Sequence, residues 1–334
     1  MNKRERVMAA LAGRPVDRVP VAFWLHNFAT EHSPEGLAGE TVRLARTFDW
    51  DFLKPQSRAQ CFAEMWGLTY TPSAERATPH AVTRAPVAGV EDLRRLRPAD
   101  PAAGALGEQL RALRAIRRAV GPEPPIIWTV FSPLMVMGML AQGGRERAIR
   151  LARAEPAAMT AALGAMAETL AAYARLCLEA GADGLFYATN VGTRDLMTAE
   201  ECRGFHRVHD LSILAAVRGA PFTLLHVCGD RVHWEEFRDY PVTAFSWATV
   251  PGNPGLVEGH RSTGRAVVGG LPAKPTIAAM SEAEVAERAR KAIDVMEGRW
   301  LLLGPDCSVN PDTPEALLHA AGRVARERAG GAPQ

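Results

Sequence analysis

The chain has 334 residues and a net charge of +2, and its 35 arginines and four lysines are spread along its length. We expect neither nucleic-acid nor membrane binding, because there is no basic tract and no window approaches the roughly 20 apolar residues of a membrane span. The start, MNKRERVMAALAGRP, predicts an amphipathic helix, not an export signal. Five widely spaced cysteines, an odd number, predict reduced thiols in a cytoplasmic protein.

The first third of the chain predicts two strands and an inserted region. The strands fall at residues 19–24 and 51–53, with a helix over 37–48 between them. Residues 67–125 are proline-rich and contain predicted helices at 90–97 and 105–120. We interpret this region as an elaboration of one βα connection and not as a separate domain.

From about residue 120 onward, short β-rich runs alternate with amphipathic helices. Strands are predicted at 124–131, 183–189, 222–227, 242–247, 266–271 and 300–303. Helices are predicted from residue 133 and over 156–180, 198–218, 232–238, 254–260, 281–297 and 314–328. Thr198, with Glu201 three residues on, predicts a capping box, and Ser281 and Thr313 are further predicted N-caps.

The strand composition favours an α/β fold with a parallel sheet. Its strands are continuous apolar runs, which are typical of strands buried on both faces under helices. About eight βα units in series favour a (β/α)₈ TIM barrel over an open sheet. No glycine-rich G-x-G-x-x-G turn follows a strand, and no phosphate-binding P-loop motif is present. We therefore predict a single TIM-barrel domain over residues 1–334.

Two of the predicted strand ends carry cysteine. His226 and Cys228 lie on the same side of an extended chain because side-chain direction repeats every two residues, and Cys307 follows the last strand. One imidazole and two thiolates suit a zinc ion whose fourth position is open. Buried packing is the alternative interpretation of the same residues. The remaining cysteines are interpreted as packing residues: Cys61, Cys177 and Cys202.

Three stretches of the sequence resemble the uroporphyrinogen decarboxylase superfamily, and the resemblance covers essentially the whole chain. They are Asn2-Lys-Arg-Glu-Arg-Val, Pro15-Val-Asp-Arg-Val-Pro-Val and Gly181-Ala-Asp-Gly-Leu-Phe-Tyr-Ala-Thr. The resemblance implies a (β/α)₈ barrel. Uroporphyrinogen decarboxylases bind their polycarboxylate substrate through arginines that follow the first strand. This chain has Phe23-Trp-Leu-His-Asn-Phe-Ala there, without arginine, which argues against porphyrinogen decarboxylation.

A second branch of that superfamily comprises zinc-dependent methyltransferases that act with methylcorrinoid proteins. Its mark, H-x-C followed at long distance by C, is similar to His226, Cys228 and Cys307. The resemblance implies that these three residues are catalytic and hold one Zn²⁺ per chain. It also implies a small-molecule thiol substrate, a corrinoid partner protein that carries methylcobalamin, and a homodimer. A metal-free decarboxylase or other lyase acting on a non-porphyrin substrate is the alternative, and a non-enzymatic zinc-binding subunit is a third interpretation.

Further site residues are predicted from their positions at strand ends. Candidate substrate-binding residues are His26, Tyr187, Asn190 and Trp247. Asp230 and Asp306 flank the candidate ligands and could orient them or balance their charge, although ordinary loop or wall roles stay open for all six residues. Arg58 and Arg194 are candidate anchors for an anionic substrate, and Glu64 is expected to form a salt bridge or to pack on a helix.

Overall fold

A computed structural model describes residues 1–273 and 276–327 of the chain. The helices are α1 (Lys3–Leu11), α2 (Pro34–Phe48), α3 (Gln60–Glu64), α4 (Val90–Arg95), α5 (Gly104–Val120), α6 (Pro133–Leu140), α7 (Gly144–Ala154), α8 (Pro156–Glu179), α9 (Ala199–Ala216), α10 (Trp234–Phe237), α11 (Leu256–Thr263), α12 (Glu282–Val295) and α13 (Glu315–Glu327). The strands are β1 (Thr69–Thr71), β2 (Ala81–Arg84), β3 (Ile127–Phe131), β4 (Gly184–Thr189), β5 (Leu224–Val227), β6 (Ala244–Trp247), β7 (Ala266–Leu271) and β8 (Leu301–Pro305).

Six strands form one parallel sheet in sequence order, from β3 to β8. Helices follow the strands, and nearly every residue of these strands is buried, as their continuous apolar sequences predict. Apolar side chains from Val7 to Ala325 form one continuous buried cluster. The predicted α/β barrel class is confirmed. The prediction of a single domain over 1–334 extends beyond the described residues and stays a prediction.

The segments predicted as the first two strands are not regular strands, so that part of the prediction is wrong in detail. The segment at 19–24 makes an isolated parallel bridge to Leu303 of β8, and the segment at 51–53 makes one to Ile126, directly before β3. The regular sheet itself is therefore not closed. Instead, two extended segments occupy the positions between its two edge strands.

A side chain interrupts the hydrogen-bond ladder between these two segments. Asp51 donates its backbone N–H to the Val21 carbonyl, but Val21 donates its N–H to the Asp51 carboxylate instead of to a carbonyl. The same carboxylate accepts from Arg6 and Arg18. Pro20 has no N–H to contribute. The buried carboxylate joins three parts of the N-terminal region, at the expense of regular pairing.

The predicted capping signals have different outcomes. Thr198 accepts from the Glu201 N–H, and the Glu201 carboxylate accepts from the Thr198 N–H, which confirms the capping box of α9. Ser281 and Glu284 form the same arrangement at α12. The prediction for Thr313 is wrong, because its hydroxyl is buried without a hydrogen bond in the described chain and α13 begins later. The predicted end of that helix at residue 328 lies outside the described residues.

The inserted region at 67–125 contains the two predicted helices, now α4 and α5, together with a hairpin that was not predicted. Strands β1 and β2 pair antiparallel, and most of their residues are exposed. Such short, exposed strands have no apolar alternation, which is the signal on which strand prediction depends.

Helix α8 is the one helix in the described chain that is long and apolar enough to cross a membrane by length and composition. Half of its most apolar window is buried within the protein, and it packs against α7 and α9. Its apolar surface therefore belongs at least in part to the protein core.

Candidate metal centre

His226, Cys228 and Cys307 meet at the carboxyl ends of β5 and β8. His226 lies within β5, Cys228 follows that strand directly, and Cys307 comes two residues after β8. Their ligand atoms all lie within 4.8 Å of one another, although β6 and β7 separate the two strands in the sheet. Such an approach requires a strongly curved sheet, as in a barrel. Residues that are far apart in sequence therefore form one cluster in space.

The spacing of this cluster fits a tetrahedral zinc ion. The Sγ atoms of Cys228 and Cys307 lie 3.8 Å apart, whereas bonded disulfide sulfurs are about 2.05 Å apart. Two sulfurs that are each about 2.3 Å from a tetrahedral ion are separated by about 3.8 Å. The thiols are thus spaced as two ligands of one ion, and a three-residue ligand set leaves a fourth position for water or substrate.

The His226 ring is held in an orientation that suits ligation. Its Nδ1 lies 3.2 Å from the Ser246 hydroxyl on β6, and the ring stacks on Phe186 with centroids 5.2 Å apart. Its Nε2 is buried and makes no hydrogen bond within the described chain. Because buried polar atoms are nearly always paired, an imidazole nitrogen of this kind within 4.8 Å of two cysteine sulfurs is a candidate metal-ligand atom. Donation from Nδ1–H to Ser246 leaves the lone pair on Nε2 that metal binding requires.

The cluster differs electrostatically from the other cysteines. A hydrogen bond from the Cys228 thiol holds the pKa of Cys307 far below its ordinary value, and the neighbouring His226 side chain acts in the same direction, although burial opposes both. Burial raises the pKa of each remaining cysteine well above the ordinary value: Cys61, Cys177 and Cys202. Thiolate is the form of cysteine that binds metals. The lowered pKa of Cys307 therefore favours metal binding, whereas the raised pKa values of the three cysteines in helices disfavour it.

Tyr187 and Trp247, two predicted substrate-binding residues, lie on the opposite face of the sheet. The strand register pairs Trp247 with Val227, one residue away from His226, so the two side chains point in opposite directions. The Tyr187 hydroxyl donates to Asp210 of α9 at 2.6 Å, and the Trp247 indole donates to the Pro254 carbonyl. Both residues therefore pack between the sheet and the outer helices, where they do not face the cluster.

The other predicted site residues near the candidate ligands, Asp230, Asn190 and Asp306, lie in different environments. Asp230 is exposed, and no hydrogen bond or ion pair of its carboxylate is found among the described residues. Asn190 follows β4 and is half-buried, and its backbone carbonyl accepts a hydrogen bond from the Arg145 side chain. Asp306 is buried beside Cys307, and burial raises its pKa to about 7. Of these three, Asp306 is the residue whose carboxyl lies in the protein interior next to a ligand.

His26 belongs to a chain of side chains that the sequence did not reveal. Its Nδ1 lies 2.8 Å from the Glu31 carboxylate, and its Nε2 lies 2.7 Å from the Gln56 amide nitrogen. Lys54 donates to the Gln56 carbonyl oxygen. The Lys54 ammonium lies over the Phe186 ring, 4.6 Å from its centroid, and that ring also stacks on His226.

Lys54 is the functional candidate that sequence analysis missed. It is buried, and its burial lowers its pKa to about 7, while the charges of Cys307 and Glu31 act in the opposite direction. A signal was present, since Lys54 is one of four lysines in an arginine-rich chain and it directly follows the predicted strand at 51–53.

The arginine anchors considered from sequence are placed elsewhere. Arg58 is buried and pairs with Glu64 and Glu108, so its charge is neutralised within the protein and the expected salt bridge of Glu64 is present. Arg194 is exposed and contributes its backbone N–H to the Arg231 carbonyl. Neither arginine side chain is brought to the cluster by a described contact.

Comparison with known proteins places the chain in a family. The sequence profile described as uroporphyrinogen decarboxylase (URO-D) matches residues 2–328. The chain belongs to this family. The resemblance seen in the sequence is thus confirmed over almost the whole chain.

Relatives from two groups are similar to the chain. Methylcobamide:CoM methyltransferase MtaA of Methanosarcina barkeri (strain Fusaro / DSM 804) is 26% identical, and the match covers 93% of this chain and 94% of that protein. Methylcobamide:CoM methyltransferase MtbA of Methanosarcina acetivorans is 23% identical, with 94% and 95% covered. Uroporphyrinogen decarboxylase of Enterobacter sp. (strain 638) is 28% identical, but the match covers 55% of this chain and 56% of that protein.

The fold also matches a solved structure along nearly its whole length. A methyltransferase from Methanosarcina mazei superposes with a TM-score of 0.84 at 22% identity, and the match covers 98% of this chain and 99% of the other. At that identity the match establishes the shared fold.

Proposed function

We propose that this chain is a zinc-dependent methyltransferase that moves a methyl or alkyl group to or from a small thiol, with a methylcorrinoid protein as its partner. The cluster of His226, Cys228 and Cys307 carries the proposal, because its 3.8 Å sulfur spacing and the buried imidazole nitrogen, which has no hydrogen bond among the described residues, suit zinc with one open position. The methyltransferase relatives, which match nearly the whole chain, support the reaction class.

Zinc, when bound, would lower the pKa of a substrate thiol in its open position and so provide a thiolate at neutral pH. The residues of the chain hold the arrangement in which this can occur. Ser246 orients His226, and the two cysteines supply the negative charges of the site. In the transfer to a thiol, the sulfur lone pair forms the new bond to the methyl carbon. The electron pair of the broken bond stays with the methyl donor.

The first test is the metal content of the purified protein and of two ligand variants. We expect about one zinc per wild-type chain and its loss in Cys228→Ala and Cys307→Ala, because each change removes one of three ligands. Cys202→Ala is the matched control, since Cys202 is buried in α9 and is not a member of the cluster. Circular dichroism would verify that all three variants fold. A wild-type protein that binds no zinc after exposure to excess zinc would refute the proposal.

The second test is methyl transfer itself, with free methylcobalamin as donor and a series of small thiols as acceptors. We expect demethylation of the cobalamin that requires both the thiol and the metal, and that stops on treatment with a chelator. Carbon dioxide release from a carboxylated substrate, unaffected by chelation or by Cys307→Ala, would instead support the metal-free lyase alternative. The partial matches to uroporphyrinogen decarboxylases are the observation that keeps this alternative in the test.

A further inference from the structure

Cys228 and Cys307 form a pair of neighbouring thiols. Their Sγ atoms lie 3.8 Å apart, although the two residues are 79 positions apart in the sequence. Neither cysteine is joined in a disulfide in this structure. A disulfide requires a sulfur–sulfur distance of about 2.05 Å, so the two sulfurs would have to approach by about 1.8 Å in total. Divided between two side chains, this approach is a small movement.

The sheet holds the two cysteines side by side. Cys228 donates its backbone N–H to the Thr189 carbonyl at the end of β4. Asp306, directly before Cys307, donates its backbone N–H to the Leu271 carbonyl at the end of β7. The sulfurs can therefore approach by rotation of their side chains, without a movement of the strands. Groups that are held together in this way react with each other far faster than the same groups on separate molecules.

The pair also differs from the other cysteines in its access to solvent. Cys228 and Cys307 are partly exposed. The three remaining cysteines have no exposed surface: Cys61, Cys177 and Cys202. A dissolved oxidant reacts first with the thiols that it can reach. Oxidation of the folded protein should therefore begin at the pair and spare the three buried thiols.

We propose that Cys228 and Cys307 form a reversible disulfide when the metal-free protein meets hydrogen peroxide, and that this bond prevents metal binding. In the first step, one sulfur attacks a peroxide oxygen and becomes a sulfenic acid, and one water is released. In the second step, the other thiol attacks this sulfur, the S–S bond forms and a second water is released. Two electrons thus pass from the two thiols to the peroxide, and a dithiol reductant reverses the change.

The disulfide and a bound metal exclude each other. A zinc ion is held by two separate thiolates whose sulfurs are about 3.8 Å apart, whereas a disulfide brings them to about 2.05 Å and leaves no thiolate. Of the three clustered residues, His226 alone would keep its ligand atom. The oxidised chain would thus lack the metal on which the proposed function depends. The inference concerns the redox state of the pair, so it goes beyond that function and does not require methyl transfer.

The test counts the thiols of the metal-free protein, in denaturant, before and after brief treatment of the folded chain with hydrogen peroxide. The reduced wild type should show five thiols and the oxidised wild type three, since two are joined. The intact mass should fall by two hydrogen atoms and recover with dithiothreitol, and peptide mapping should link Cys228 to Cys307. Cys228→Ala should form no such link, and dimedone should trap a sulfenic acid at Cys307. Cys202→Ala, the matched control, should still form the disulfide.

Five thiols after oxidation would overturn the inference, and so would a gain of oxygen atoms without the loss of two hydrogens, or a disulfide that links two chains. Zinc uptake is the second readout. The oxidised wild type should take up less than about a tenth of the zinc that the reduced protein binds, because two of three ligands are lost. Equal, measurable uptake by both forms would overturn the exclusion of the metal. A reduced protein that binds no zinc but forms the disulfide would refute only the proposed function.

Discussion

The two faces of the sheet differ in how their buried polar side chains are paired. On the inner face, among the residues that the structure describes, the His226 Nε2 is buried without a hydrogen bond and Lys54 forms no ion pair with a carboxylate. On the outer face, the Asp210 carboxylate accepts from the Tyr187 and Tyr240 hydroxyls, at 2.6 Å and 3.1 Å. Polar groups that satisfy one another contribute to stability. Buried groups without a partner are costly, and beside two thiols such a group is a candidate ligand atom.

The comparison predicts that substitutions on the inner face affect chemistry and those on the outer face affect stability. The largest effect should come from Cys307→Ala, which removes one of the three proposed metal ligands. We expect metal-dependent transfer to fall by more than about 100-fold, since loss of even an outer-sphere partner of a metal ligand commonly costs 10- to 100-fold. Initial rates with methylcobalamin and a thiol would measure it. Cys202→Ala should stay near the wild-type rate, and similar losses in both variants would contradict the assignment.

The next effect concerns the stability cost of the unpaired cation. Lys54→Met should raise the free energy of unfolding of the metal-free protein by about 2 kcal/mol at pH values below about 7, because it removes a buried charge of similar shape. The Lys54 pKa of about 7 is below its ordinary 10.5, so the unfolded state binds more protons between these values. Wild-type stability therefore rises with pH in that window, and the advantage of the variant disappears as pH approaches 10.5.

Denaturant titrations of both proteins across this pH range would measure the difference. Lys291→Met, which removes an exposed lysine, should show a pH-independent difference close to zero. A variant that is less stable than the wild type at neutral pH would mean that the Lys54 ammonium is well compensated in the folded protein.

On the outer face of the sheet, we expect a substitution to affect stability and not chemistry. Tyr187→Phe removes a hydroxyl that donates to the buried Asp210, so we expect a loss of about 1.5 kcal/mol in unfolding free energy. Zinc content and transfer rate should be unchanged, since Tyr187 faces α9 and not the cluster. Chemical denaturation together with metal analysis would measure both. A specific increase in the KM for the thiol, without loss of stability, would return Tyr187 to the substrate-binding residues.

The smallest effect should come from Ser246→Ala, which removes the hydrogen-bond partner of the His226 Nδ1. We expect about tenfold weaker zinc binding, with all three ligands retained, because this hydrogen bond orients the imidazole. Competition with a zinc chelator would measure the affinity. Ser212→Ala, on the outer helix α9, is a serine control that should bind zinc as the wild type does. An unchanged affinity in Ser246→Ala would show that packing on Phe186 suffices to orient the ring.

The sequence was sufficient wherever a local pattern reflects a local physical cause. Apolar runs and caps such as Thr198 predicted the strands and helices from residue 120 onward, because burial and capping depend on neighbouring residues. The first two strands were predicted less well. Asp51 replaces a backbone acceptor there and binds arginines from two other segments, and no local pattern indicates such a long-range arrangement.

For the site, the sequence by itself determined the identity and the order of the candidate ligands, since spacing along one strand places His226 and Cys228 on one face. Only the tertiary structure decided how far Cys307 lies from them, because that distance depends on the curvature of the whole sheet. It also decided that Tyr187 and Trp247 face outward, and that Lys54 is buried over the Phe186 ring on which His226 stacks. The two-residue period of a strand divides its side chains between two faces, but it does not show which face points into the barrel. Pairing between side chains that are distant in sequence depends on how the chain packs in three dimensions.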